Sequence, residues 1–157
     1  KLDIIYNKIV KESKDSFSLI NNNTKNIEQF REFFQLNLIL ILWYMKKNKI
    51  KSKYLDYLIK LFVRDLEGMI IELGGSETSF RKKVRIIIEN FYIRLYEFSD
   101  LLDKHKNLNK SNSKDLISKN FHFLSRYEPI LEYLNKNISL IRNLEVEDFW
   151  NANLLFK

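Results

Sequence analysis

The chain has 157 residues, a formal net charge of +7 and no cysteine. This length suits a single domain with a buried core, and the missing cysteine excludes disulfides, thiolate nucleophiles and thiolate zinc sites. Only three glycines and one proline are present, which argues against turn-rich β folds. We therefore expect an all-α, single-domain bundle of about five to six helices over residues 1–157, with no sheet.

The first three predicted helices cover about residues 2–14, 25–47 and 53–73. The polar loop Asn21–Thr24 offers N-cap oxygens to the second helix, and Ser52 can cap the third. The third carries an apolar stripe at three–four spacing, so one side of it should pack. This stripe comprises Leu55, Leu58, Ile59, Phe62, Leu66, Met69 and Leu73. Gly68 within this helix costs roughly 1 kcal/mol against alanine, and we expect it to permit a close helix approach.

The most apolar stretch of the chain runs from Phe33 to Met45 in the second helix. It is shorter than the roughly 20 apolar residues that a membrane span needs, and it contains the polar residues Gln35 and Asn37. We expect a central helix that is buried on most sides. Contact with a membrane stays open as the lesser alternative.

Residues 72–85 read ELGGSETSFRKKVR. A phosphate-binding loop needs a glycine-rich turn after a strand and a lysine at a fixed spacing, and neither is found here. We expect Gly74 or Gly75 to supply the left-handed residue that ends helix three. A hydroxyl side chain should then cap helix four, and the candidates are Ser76, Thr78 and Ser79.

The fourth predicted helix covers about residues 80–103. Ile86 and Ile93 form a second apolar line beside its main stripe, which predicts packing against two neighbours. The main stripe comprises Phe80, Val84, Ile87, Phe91, Leu95, Phe98 and Leu102. The first turns of this helix also hold four cations, which are Arg81, Lys82, Lys83 and Arg85. Cations there oppose the positive end of the helix dipole, so their charge can serve an anionic partner. The alternative is a solvated face that Glu72 or Glu77 neutralises, and both interpretations stay open.

After a polar loop, the fifth predicted helix starts near Lys114, with Ser111 or Ser113 as its cap. Pro129 should break or kink this helix, because proline lacks a backbone donor and clashes with the preceding turn. A sixth helix follows at about residues 130–136.

Titratable residues give no catalytic pattern. His105 and His122 are isolated from cysteines and from any HExxH-like spacing. Asp65 and Glu72 share a helix face and form the best acid/base candidate, but salt-bridged or solvated carboxylates are far more common. We predict that the chain is not an enzyme and that it has no catalytic residue, metal or cofactor. The positive charge permits contact with RNA, anionic lipid or an acidic protein without distinguishing them.

Five segments between residues 62 and 94 resemble a family signature of the form F-x-D-M-D, R-E-M-G-V-G-D, a serine, K-K-V-K/R and F-Y-G-R. The segments are Phe62-Val63-Arg64-Asp65-Leu66-Glu67, Glu72-Leu73-Gly74, Ser79, Lys82-Lys83-Val84-Arg85 and Phe91-Tyr92-Ile93-Arg94. That signature belongs to the ubiquinol–cytochrome c chaperone family. Tyr6–Val10 is similar to the opening helix of the family, and the resemblance weakens after about residue 115.

Three departures from the family pattern matter. Leu36-Asn37 stands where the family has Leu-His, and Gly75-Ser76 replaces Val-Gly. Ile93 replaces the glycine before Arg94. The missing histidine argues against essential imidazole chemistry at that position, and the isoleucine predicts altered helix packing beside Arg94.

The resemblance implies a helical, non-enzymatic assembly factor of the ubiquinol–cytochrome c reductase complex. Mitochondrial members act with a small partner protein, associate with the ribosome and hold newly made cytochrome b. The expected partners are therefore cytochrome b or another hydrophobic membrane-protein client, a small co-chaperone, the ribosome or its RNA, and the membrane surface. The expected location is the bacterial cytoplasm at the inner membrane face, or the mitochondrial matrix and inner membrane in a eukaryote.

The resemblance also suggests roles for three groups of residues. A basic patch would meet RNA, anionic lipid or an acidic partner, and it comprises Arg81, Lys82, Lys83, Arg85 and Arg94. An acidic group would hold the junction of helices three and four or contact a basic partner, and it comprises Asp65, Glu67 and Glu72. An apolar group would form core or a client groove, and it comprises Leu38, Ile41, Trp43, Tyr44, Phe91 and Tyr92. The alternatives are a basic helical module that binds RNA or the ribosome, and a structural subunit without chaperone activity.

Overall fold

The computed structural model describes residues 1–20, 27–121 and 127–157, and all regular secondary structure in these ranges is helical. The helices there are α1 (Leu2–Ile20), α2 (Ile27–Lys47), α3 (Ser52–Glu72), α4 (Glu77–Lys104), α5 (Lys110–Asn120), α6 (Glu128–Arg142) and α7 (Val146–Trp150). The predicted all-α class without a sheet is confirmed for the described ranges. The predicted count of five to six is too low, because α7 is too short to produce a readable apolar period.

α2 is the central helix, and α1, α3, α4 and α6 pack against it. Every residue from Phe33 to Met45 is buried, so the expected central helix is confirmed. A helix that is apolar on all sides is buried in this way because each side needs cover from water. Within the described ranges, no helix combines the length and the hydropathy that crossing a membrane requires.

Aromatic rings connect α2 to its neighbours. The ring centroids of Phe33 and Tyr133 of α6 are 4.9 Å apart, and those of Phe34 and Phe62 of α3 are 6.0 Å apart. Phe62 in turn lies 5.0 Å from Phe91 of α4. Such pairs add about 0.5–1.5 kcal/mol each beyond the area that they bury. The buried apolar side chains form one cluster, so the core is continuous from α1 to the segment after α7.

The starts of α1 and α3 follow the predictions, but two details differ. α1 extends to Ile20, well past the predicted end near Lys14. At α3, Lys51 occupies the N-cap position without a side-chain hydrogen bond, and Ser52 is the first helical residue. The predicted Ser52 cap is therefore wrong. Lysine has no acceptor atom to offer the free N–H groups of the first turn.

The cap of α5 also differs from the prediction. The helix begins at Lys110, and the side chain of Asn109 accepts a hydrogen bond from the Asn112 backbone at 3.0 Å. The Asn112 side chain accepts one from the Asn109 backbone at 2.8 Å. This reciprocal capping box satisfies two N–H groups at once. The cap thus falls on an asparagine before both of the predicted serines.

Pro129 lies in the first turn of α6 and does not break a preceding helix. Proline is suited to that turn because its missing N–H would have no partner within the helix. α5 already ends at Asn120, and α6 continues to Arg142, six residues beyond its predicted end. The predicted capping loop Asn21–Thr24, His122 and the predicted continuation of helix five over residues 122–126 lie outside the described residues.

The segment after α7 packs back onto α1 and α6. The Phe156 N–H donates to Glu12 Oε2 at 3.2 Å, and the Ser16 hydroxyl donates to the Phe156 carbonyl at 3.2 Å. The Asn137 side chain exchanges two hydrogen bonds of 3.0 Å with the backbone of Lys157. These side chains satisfy the backbone groups of a segment without regular secondary structure, and they fix residues 156 and 157 between the two helices.

Candidate interaction surface on the fourth helix

The turn between α3 and α4 is built by two glycines and a serine. Gly74 and Gly75 have positive φ angles of 78° and 120°, and residues with a Cβ rarely adopt this backbone conformation. The Ser76 hydroxyl oxygen then accepts a hydrogen bond from the Ser79 N–H at 3.2 Å, so Ser76 caps α4. The predicted helix break is confirmed, with Ser76 as the cap among the three candidates.

Because Ser76 is the cap, α4 begins at Glu77, three residues earlier than predicted. Arg81 is therefore the fifth helical residue, and the other three cations follow it. The dipole effect falls off within the first turn, so the argument that these cations oppose the helix dipole is wrong. Glu77 in the first turn complements the dipole instead.

Two of the four cations are paired within α4. Arg81 lies 2.7 Å from Glu77, and Arg85 lies 3.5 Å from Glu89, in both cases as exposed pairs four residues apart. Exposed pairs of this kind contribute about 0–1 kcal/mol and exchange readily for other partners. Lys82 and Lys83 are exposed and make no ion pair with any described residue. Lys82 and Lys83 are therefore the cations of this region that are available to bind an external anion.

Arg94 does not belong with these exposed cations. Its guanidinium donates to Asn120 Oδ1 and to Gln35 Oε1, at 3.0 Å in each case, and lies 3.7 Å from Glu32 Oε1. Burial lowers the pKa of the Arg94 guanidinium, and the charge of Glu32 opposes this shift. The side chain thus joins α2, α4 and α5 from the inside, where an external partner does not reach it.

Large apolar side chains share the exposed side of α4 with the cations. Ile86, Tyr92, Ile93 and Tyr96 are between 43% and 76% exposed. Residues three and four apart lie on one side of a helix, and this spacing defines the outer face of α4, which comprises Lys82, Arg85, Ile86, Glu89, Tyr92, Ile93 and Tyr96. The buried side of α4 carries Val84, Phe91, Phe98, Leu101 and Leu102.

The outer face corrects two expectations. Ile86 and Ile93 were predicted to pack against a second neighbour, and in the described chain both are exposed. Phe91 and Tyr92 were both assigned to the core or a client groove, and the structure separates them: Phe91 is fully buried in the core and Tyr92 is half-exposed. The width of the apolar stripe on α4 is visible in the sequence and was the signal for this face. The whole stripe was expected to be internal core, whereas its second line is open to solvent.

The apolar residues proposed on α2 are core. All four have little or no exposure to solvent, and they are Leu38, Ile41, Trp43 and Tyr44. The polar ends of the two aromatic residues are also satisfied inside the bundle. The Trp43 indole N–H donates to Asp103 Oδ1 and the Tyr44 hydroxyl donates to the Leu144 carbonyl, at 2.9 Å in each case. α2 therefore offers no open groove over this stretch.

The three acidic candidates have different environments. Asp65 accepts a hydrogen bond from the Tyr6 hydroxyl at 2.9 Å and pairs with Arg64 at 2.9 Å. Burial, followed by this hydrogen bond, raises the pKa of Tyr6. Asp65 thus ties α1 to α3, and none of the hydrogen bonds or ion pairs among the described residues joins it to Glu72. Glu67 and Glu72 are exposed.

Two further features bear on chemistry, namely His105 and the arrangement of side chains that can bind metal ions. His105 follows the last residue of α4, and its carbonyl oxygen accepts a hydrogen bond from Arg142 at 3.0 Å. No group of three or more His, Cys, Asp or Glu side chains in the described ranges is arranged to hold a metal ion.

Comparison of the chain with protein-family models, with curated proteins and with solved structures found no match.

Proposed function

We propose that this chain is a non-enzymatic binding protein that holds newly made cytochrome b during assembly of the ubiquinol–cytochrome c reductase complex. Two arguments support the proposal. The segments between Phe62 and Arg94 resemble the chaperone family that has this role. The outer face of α4, which lies within the same stretch except for Tyr96, has the composition of a protein-binding surface.

The outer face of α4 is the observation that carries the proposal. It exposes four large apolar side chains on one side of one helix, two of them tyrosines. Contiguous exposed apolar side chains mark binding surfaces, and tyrosine is enriched at the centre of such surfaces. A client helix with an apolar side would cover Ile86, Ile93 and the tyrosines, while Lys82 and Lys83 would meet acidic groups at its end.

Because α2 is buried and offers no groove, the client would have to bind elsewhere. Since Leu38, Ile41, Trp43 and Tyr44 are core, the proposal assigns client contact to α4 and stability to α2. The resemblance is compatible with this division, because it is tightest over residues 62–94.

A second candidate function is binding of ribosomal RNA through the basic end of the same helix. The observation that favours it is the lack of an ion pair at Lys82 and Lys83 within the described chain. Binding of this kind would weaken steeply as salt is added, because each phosphate contact releases a condensed counterion. Client binding through the apolar side chains would respond far less to salt.

Site-specific crosslinking in intact cells separates the two functions. A photo-crosslinking residue at Tyr92 reports on the outer face, and one at exposed Lys106, beyond the end of α4, is the matched control. We expect the Tyr92 position to recover cytochrome b or its early assembly partners, and the Lys106 position to recover neither. Recovery of ribosomal RNA alone would contradict the client function and leave the second candidate.

Charge reversal tests the basic end directly. Lys82→Glu with Lys83→Glu should weaken partner recovery, while the helical circular-dichroism signal stays unchanged because both side chains are exposed. Lys106→Glu with Lys114→Glu changes the net charge equally at exposed positions outside α4. Equal losses in both double variants would mean that only overall charge matters. Deletion of the gene should also reduce the cytochrome b absorbance band of the membranes.

A further inference from the structure

A cleft of about 560 Å³ lies where the starts of α1 and α3 meet α7, and we call it the aromatic cleft. Its lining residues are Lys1, Leu2, Asp3, Tyr54, Tyr57 and Trp150. The volume falls in the range of about 300–1,000 Å³ that small-molecule sites occupy. None of these residues belongs to the outer face of α4, so the cleft is a separate feature with its own chemistry.

Three aromatic rings form the walls of the cleft. Tyr54 and Tyr57 are three residues apart on α3 and therefore lie on the same side of it. The rings of Tyr54 and Trp150 have centroids 5.5 Å apart and an interplanar angle of 81°. The Tyr54 and Trp150 rings thus pack edge to face, and a compact cation in the cleft would contact them and Tyr57, which also lines it.

The electrostatics of the walls suit a positive group. The Tyr57 hydroxyl donates to both carboxylate oxygens of Asp3, at 3.1 and 3.3 Å, which brings a full negative charge to the cleft. Asp3 is exposed and has no ion pair with a described residue, so its charge is available. The Lys53 ammonium lies 5.0 Å from the centroid of the Tyr54 ring, so a ligand cation at this face would have to displace it.

We propose that the aromatic cleft binds a methylated ammonium group, as found in choline or in trimethyl-lysine. Aromatic rings attract such cations through their negative faces, and tryptophan does so most strongly. Lys1 on the lining and Lys53 beside Tyr54 act against any cation. A methylated ammonium tolerates them better than a bare ammonium, because it is weakly hydrated and makes apolar contact with the rings as well.

Calorimetric titration of the whole chain tests this proposal with three probes. Choline and N-acetyl-trimethyl-lysine amide carry the cation, and 3,3-dimethylbutan-1-ol has the shape of choline without its charge. We expect saturable binding of at least one cation and no binding of the neutral alcohol. The cation that binds more tightly shows whether the methylated ammonium group belongs to choline or to trimethyl-lysine. Equal binding of the alcohol and choline, or no binding of either cation, would overturn the proposal.

Variants locate the site. Tyr54→Leu should weaken binding about tenfold, since one aromatic wall is lost, and Asp3→Asn should weaken it through the loss of charge. Tyr96→Leu removes an exposed tyrosine of α4 and should leave binding unchanged. Unchanged affinity in both cleft variants would overturn the assignment. Should Tyr54→Leu fail to fold, the exposed Asp3→Asn variant still decides the result. Tryptophan fluorescence, to which Trp150 in the cleft contributes, follows the titration independently.

Discussion

The side-chain amide of Asn37 donates a hydrogen bond to the hydroxyl oxygen of Ser13 at 2.9 Å, and neither side chain is exposed to solvent. The Tyr133 hydroxyl donates to the other end of the same amide at 2.8 Å. Asn37 therefore connects α1, α2 and α6 at the centre of the bundle. The resemblance to the chaperone family predicts histidine at this position, and here both ends of the asparagine amide are hydrogen-bonded within the bundle.

We predict that Asn37→Leu lowers the free energy of unfolding by about 1–3 kcal/mol, because the buried hydroxyls of Tyr133 and Ser13 lose their hydrogen bonds to the Asn37 amide. Denaturant unfolding followed by circular dichroism measures the change. The matched control is Asn90→Leu, an asparagine on the exposed part of α4, which should change stability by about 0.5 kcal/mol or less. Similar values for both variants would mean that the buried amide bonds contribute nothing.

Replacement of an arginine by lysine should have different consequences at two positions of α4. Arg94→Lys keeps the charge but cannot reach Asn120, Gln35 and Glu32 together, because lysine lacks the planar fork. We expect a loss of about 1–3 kcal/mol in the free energy of unfolding. Arg85→Lys, at an exposed pair, should be close to neutral. Thermal unfolding of both variants checks this, and equal melting temperatures would contradict an internal role for Arg94.

Two glycines of α3 and its turn should respond to alanine with opposite signs. Gly68 lies inside α3, and a Cβ at this position would meet no atom of the described residues within 4 Å, so the expected close helix approach is absent from the described part of the chain. Gly68→Ala should stabilise the chain by up to about 1 kcal/mol through helix propensity. Gly74→Ala should destabilise it by about 1–2 kcal/mol, since a left-handed φ of 78° is strained for alanine. Chemical denaturation measures both, and the same sign for both would contradict the argument.

Glu12 should make stability depend on pH. Burial raises the pKa of its carboxyl group, against the opposing effects of the Phe156 N–H and of Lys8. The folded chain then binds this proton more tightly than the unfolded chain. This contribution to stability is complete below the ordinary glutamate pKa and is lost as the pH rises through the raised value.

Glu12→Gln should therefore be more stable than the parent at pH 8 and about equal to it near pH 4. The amide oxygen can still accept from Phe156, so the hydrogen bond is retained. Unfolding by urea at the two pH values provides the measurement, with exposed Glu132→Gln as the control. Lower stability of Glu12→Gln at pH 8 would show that the attraction between Lys8 and the carboxylate outweighs its burial.

The apolar patterns predicted most of the helices because burial follows residue spacing closely. Phe62 and Leu66 of α3, and Phe91 and Phe98 of α4, lie on the predicted stripes and are buried. Leu73 was assigned to the α3 stripe, yet it is 68% exposed. The helix ends one residue before it, and the glycine turn changes the direction of the chain.

The features that the sequence left hidden depend on tertiary contacts. Arg94 and Arg85 carry the same charge on the same helix, and only the positions of Gln35 and Asn120 on other helices decide that Arg94 lies inside. The outer face of α4 was hidden for a related reason. An isoleucine such as Ile93 reads as core whether its cover comes from the same chain or from a partner.

The hydrogen bond from Ser16 to the Phe156 carbonyl joins positions 140 residues apart, and it has a consequence for synthesis. At about 5–20 residues per second, α1 leaves the ribosome roughly 7–28 s before this partner does. Tyr133, which completes the Asn37 bonds, also emerges long after α1 and α2. The parts of α1 and α2 that pack against α6 and the segment after α7 therefore stay uncovered for seconds during translation, and the nascent chain has to remain soluble until these partners emerge.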